Sequence, residues 1–137
     1  MSNLDLGHAD QRDGRIKLHV TSRGLRLRRE LPELFATGSY DPLAATGRQR
    51  GKVLAFARHL EGTWAAFIAT VRSVGEPESA AMPRGDVWGT TLLRLPPEAP
   101  QRWRNVLSGE LVDARGAGGL ALADALRDAP VAILRGV

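Results

Sequence analysis

The chain has 137 residues, 43% of them hydrophobic and 25% charged, the make-up of one globular domain and not of a disordered polymer. It contains no cysteine, which excludes disulfide frameworks, thiolate zinc sites and cysteine nucleophiles together, and fits a reducing cytoplasm. The 19 Lys and Arg against 15 Asp and Glu leave a formal charge of +4, a modest basic excess. No stretch reaches the length of a membrane-spanning helix, and the first residues lack the apolar core of a signal peptide. The expectation is a soluble, cytoplasmic protein with no membrane partner.

In chain order, residues 1–12 carry no periodic apolar pattern and are expected to form a flexible tail. Residues 13–35 are expected to be helical, with Asp13 as N-cap and a break near Leu31, because Pro32 lacks an N–H and restricts the residue before it. At roughly 100° per residue, Ile16, Val20, Leu27 and Leu31 fall within about 60° of one another and form one apolar ridge. Leu18 and Leu25 lie on the opposite side. Arg and Lys fill the space between, and seven of the 19 basic residues lie between Arg12 and Arg29. A helix at the surface of a self-contained domain needs a single apolar face, so two opposed stripes predict a helix held between two bodies, with Leu18 and Leu25 facing the second.

The remainder, residues 36–137, is expected to form an antiparallel β-sandwich. Gly38, Tyr40, Asp41 and Pro42 mark a connector. Lys52–Leu60 and Thr63–Val71 are β-branched and aromatic runs separated by Glu61 and Gly62, the spacing of a hairpin. Gly75–Asp86 reads as a surface loop. Val87–Leu95 is a further expected strand, stopped by Pro96 and Pro97. Trp103–Leu107 and Leu111–Ala114 suggest a second hairpin, Arg115–Gly119 a turn, Leu120–Leu122 a short strand, Ala123–Asp128 at most one helical turn, and Val131–Leu134 a closing strand. Short strands with turn signals about every ten residues point to a mainly β fold and away from a parallel α/β sheet.

Few constellations suggest chemistry. Gly116, Gly118 and Ala121 satisfy the spacing of a dinucleotide-binding loop, but the helix that should follow is too short and the acidic ribose partner has no room to occur, so a turn is the better reading. His8, His19 and His59 are scattered without metal-ligand spacing, and His59 reads as a solvated residue beside a hairpin. Glu61, Asp86, Glu98 and Glu110 border Gly or Pro and read as turn residues. No pair of them is nominated as acid and base. Trp64, Trp88 and Trp103 are candidate glucan contacts, with core packing the stronger reading because indoles bury large areas. No catalytic, cofactor-binding or metal-ligating residue is nominated.

DGRIKL at Asp13–Leu18, LRLRRELPELF at Leu25–Phe35, then Gly38, Tyr40 and Pro42-Leu43, AFAR at Ala55–Arg58, VWGTTLLRLP at Val87–Pro96, WRNVLSGE at Trp103–Glu110 and PVAIL at Pro130–Leu134 occur in an order that resembles the C-terminal end of maltooligosyltrehalose synthase, of the α-amylase clan. The chain departs from that pattern at Thr70, near which the family often has proline, and at Thr90, where it has Asp. The resemblance implies a longer enzyme with a catalytic (β/α)₈ barrel, which serves trehalose biosynthesis by intramolecular transglucosylation, an isomerase reaction on maltooligosaccharides. None of the barrel's catalytic motifs is present here, so the isolated chain is expected to be inactive. By the same resemblance residues 13–30 are similar to the last helix at the barrel's edge and the rest to the sandwich that caps it. The expected partners are therefore that missing barrel, or a second copy through the N-terminal helix, and a maltooligosaccharide. A stand-alone α-glucan-binding module is the alternative, and nucleic-acid binding through the Arg-rich helix is the least favoured.

Overall fold

The computed structural model describes residues 8–47, 49–71, 88–114, 119–127 and 129–137, with side chains from Leu18 onward. The first helix, α1, runs His8–Glu30. It thus begins ahead of Asp13, which is not its N-cap, and takes in residues expected to belong to the tail. Gly14 and Gly24 are both carried inside it, although a helix-interior glycine costs about 1 kcal/mol relative to alanine. The C-terminal limit falls where Pro32 requires it, and α2 (Pro32–Thr37) restarts with that proline in its first turn.

The strands are β1 (Asp41–Leu43), β2 (Ala45–Thr46), β3 (Val53–Leu60), β4 (Thr63–Thr70), β5 (Leu92–Leu93), β6 (Arg102–Asn105), β7 (Leu111–Asp113), β8 (Leu120–Ala121) and β9 (Val131–Gly136), with a single-turn helix α3 at Leu122–Ala125. Six of them form one sheet in the order β1-β3-β4-β9-β6-β7, and β2-β5-β8 form a second. All pairings among the described residues are antiparallel, which confirms the expected mainly β sandwich. The β3–β4 hairpin closes through Glu61 at φ 50° and Gly62 at φ 86°, two left-handed residues in succession. That geometry follows the right-handed twist of the strands and is why glycine occupies the second place.

Alternation along the large sheet separates two cores. Ala55, Ala57, Trp64, Ala66, Ile68, Trp103, Val112, Ala132 and Leu134 face the small sheet and α3, meeting Leu93, Leu120, Leu122, Ala125 and Leu126. Ala65, Phe67 and Ile133, the intervening residues, face α1 and α2, where they meet Leu27, Leu34, Val20 and Leu31. A strand apolar on both sides is thus explained by two layers of cover.

The expected strand Val87–Leu95 is corrected by the structure. Only Leu92 and Leu93 are paired, while Trp88 to Thr90 turn, with Gly89 at φ 55°. Trp88, at the start of that turn, is buried. Thr91 then ties three segments: its N–H donates to the Trp88 carbonyl, its carbonyl accepts from Leu122 N–H at 3.1 Å, and its Oγ1 accepts from Gln49 N–H at 3.1 Å. Val87, the expected loop Gly75–Asp86 and most of the turn Arg115–Gly119 lie outside the described residues.

Candidate interaction face of the N-terminal helix

The inner ridge sets how α1 lies. Leu27 is 2% exposed and packs with Ala65 and Ile133, while Val20 and Leu31 are partly buried against the same cluster. Burying a leucine to this degree is worth about 1.5–3 kcal/mol. Two polar links fix the helix against sliding: His19 Nε2 lies 2.7 Å from the Leu107 carbonyl oxygen, and Arg135 donates to Glu30 Oε1 at 3.2 Å. Ile16, the fourth ridge residue, has no described side chain.

With the ridge inward, the other stripe points out. Leu18 and Leu25 are each 52% exposed. Arg26, Arg28 and Arg29 follow Leu25 in sequence, are exposed, and take part in no ion pair among the described residues. Leu25, Arg28 and Arg29 also wall an open depression of about 780 Å³, whose other lining residues are Pro32, Phe35 and Ala36 of α2.

The angle of α2 determines that depression. Leu34 is buried beneath it, and Arg58 on β3 donates through Nη2 to the carbonyl oxygens of Phe35, at 3.1 Å, and Gly38, at 3.2 Å. These are carbonyls that a helix end leaves without internal donors. Phe35 meets Phe67 edge-on at 5.8 Å, and the Arg58 guanidinium lies 5.8 Å from the Phe35 ring centre. The ring is thereby held with part of its surface open. Sequence reading missed the contribution of Pro32, Phe35 and Ala36. The signal was the proline three residues after Arg29, which breaks α1 and begins the short helix that borders the depression.

A narrower cleft of about 310 Å³ lies on the other side of α1, lined by His19, Val20, Leu107, Val112, Ala125 and Val131 among others. Its polar edge is already engaged: Glu110 pairs with Arg127 at 3.1 Å and His19 with Leu107. The lining is mainly apolar, unlike a surface made to pair many hydroxyls.

The remaining residues singled out by sequence do not converge. Trp64, Trp88 and Trp103 are 4%, 1% and 0% exposed, and the first and last meet edge to face at 6.3 Å. They fill the core, the stronger of the two sequence readings, and the weaker one, a glucan contact, finds no exposed indole face here. His59 is half-buried, stacked on Trp64 at 4.2 Å and 3.4 Å from Asp41, so it is not simply solvated. The side chain of His8, and Asp86, lie outside the described residues. Glu61, Glu98 and Glu110 are exposed at turns. Gly116 and Gly118 lie outside the described residues, and Ala121 belongs to an antiparallel strand followed by the four-residue α3, no setting for a dinucleotide. No group of three metal-ligating side chains occurs among the described residues, and no helix there is long and apolar enough to cross a membrane.

The fold and this face together define a helix-bearing antiparallel β-sandwich domain. No family model matches the sequence, and neither does any curated protein. Among solved structures, the chain is similar to a mutant of maltooligosyltrehalose synthase from Arthrobacter ramosus, with a TM-score of 0.60 and 31% identity over 87% of this chain. The match spans 13% of that enzyme's length. It establishes a structural relationship at the level of the fold.

Proposed function

We propose that the chain acts as a non-catalytic accessory domain of a maltooligosyltrehalose synthase-like system, supporting a catalytic barrel through the outer face of α1. The observation that carries this reading is the pair of half-exposed leucines, Leu18 and Leu25, on a helix whose other ridge is already packed. A second apolar stripe is explained by a second body, and the similar enzyme supplies a candidate for it, since the match covers 13% of that chain and leaves the rest to provide one. The chemistry in that body would be intramolecular transglucosylation of a maltooligosaccharide to a trehalose-ended product, with no catalytic group from this chain.

Reconstitution tests the proposal. The Arthrobacter ramosus enzyme is shortened by the portion matching this chain and mixed with the chain. Co-elution, together with a gain in maltooligosyltrehalose formed from maltopentaose over the shortened enzyme alone, is the expected result. Lack of both would overturn the accessory role, and product formed by this chain alone would overturn its non-catalytic character. The alternative of an independent glucan-binding module has lost its candidate residues, because all three tryptophans are buried.

A further inference from the structure

We infer that the outer face of α1 and α2 receives an apolar projection ringed by carboxylates on a folded protein partner, and does not pair with a second copy of this chain. The inference rests on the docking role proposed above and adds the chemistry of what docks.

Two features of the face coincide. Leu18 and Leu25 are exposed on one side of α1, and Leu25 stands at the edge of the depression bordered by Pro32, Phe35 and Ala36. Arg28 and Arg29 wall the same depression, Arg26 lies beside them in sequence, and none of the three has a carboxylate partner among the described residues. The nearby Glu30 is engaged with Arg135. An apolar floor with unpaired guanidiniums along its wall is complementary to an apolar side chain flanked by Asp or Glu. Such charges would steer association and fix register more than they add raw affinity.

The same charges argue against self-association. A twofold interface places one patch on its own copy. Antiparallel pairing centred between Leu18 and Leu25 puts Arg28 opposite the helix position of Arg15, and parallel pairing puts Arg28 opposite Arg28. Both juxtapose like charges. Phosphates would satisfy the guanidiniums but would leave Leu18, Leu25 and the open part of the Phe35 ring without an apolar partner, so a nucleic acid fits half of the face.

Two synthetic helical peptides test this without any barrel: both carry one leucine stripe, flanked in one by Glu and in the other by Lys. Fluorescence anisotropy with the full chain should show the Glu peptide bound at least about tenfold more tightly than the Lys peptide, with affinity falling as salt rises. Leu25→Asp should abolish binding. The double variant Arg28→Glu and Arg29→Glu should reverse the preference, and circular dichroism should show both variants folded, because all three sites are exposed. Equal binding of the peptides, binding of neither, a dimer by light scattering that Leu25→Asp dissolves, or tighter binding to a short DNA duplex would each overturn the inference. Peptide discrimination with failed reconstitution would sink only the trehalose-system role; reconstitution without discrimination would sink only the acidic partner.

Discussion

His19 Nε2 sits 2.7 Å from the carbonyl oxygen of Leu107, so one imidazole ties the middle of α1 to the loop that follows β6. The ring is exposed, and water can replace it at the carbonyl. His19→Leu should therefore cost only about 0.5–1.5 kcal/mol in urea unfolding, the net worth of one hydrogen bond. Hydrogen exchange should quicken in Val20 and its neighbours more than in β4.

The two stripes of α1 should respond very differently to truncation. Leu27→Ala removes a side chain 2% exposed, packed with Ala65 and Ile133, and should cost about 2–5 kcal/mol. Leu25→Ala, at 52% exposure, should fall within about 0.5 kcal/mol of the parent. Equal losses at the two positions in chemical denaturation would contradict the orientation of the helix.

Arg58 offers a sharper test of how α2 is held. Replacing it with Met leaves the carbonyls of Phe35 and Gly38 without their guanidinium donor, a loss of about 1.5–3 kcal/mol for hydrogen bonds to a charged group. Arg58→Lys should recover part of this, since a single ammonium cannot reproduce the planar fork. If Met and Lys prove equally mild in guanidinium denaturation, the link is not what positions the short helix.

All three tryptophans should emit as buried indoles and resist acrylamide quenching. Titration with maltoheptaose should give no saturable change in that emission. Saturable quenching would return the glucan-binding module to consideration.

Much of this architecture was legible because it is written in local chemistry. Pro32 ended the first helix where it had to, Glu61 and Gly62 located the hairpin, and the spacing of Ile16, Val20, Leu27 and Leu31 set that ridge apart from Leu18 and Leu25. What escaped was not written in local chemistry. α1 reaches back to His8, ahead of the Asp13 offered as its start. Trp88 turns inward, shortening the strand read at Val87–Leu95, because the core beneath it has room for an indole. The apolar border of the depression was hidden for a similar reason: Pro32, Phe35 and Ala36 become one surface only when Arg58 and Leu34 set the tilt of α2. No periodicity could announce that.

The position of β9 bears on how the protein is made. Val131–Gly136 pairs with β4 on one side and β6 on the other, so the two halves of the large sheet have no direct ladder between them. In the order of synthesis β9 follows both strands that it joins, so the β3–β4 hairpin would wait with an unpaired edge until those residues emerge from the ribosome. A nascent chain of this design is most open to aggregation before β9 takes its place between the two halves.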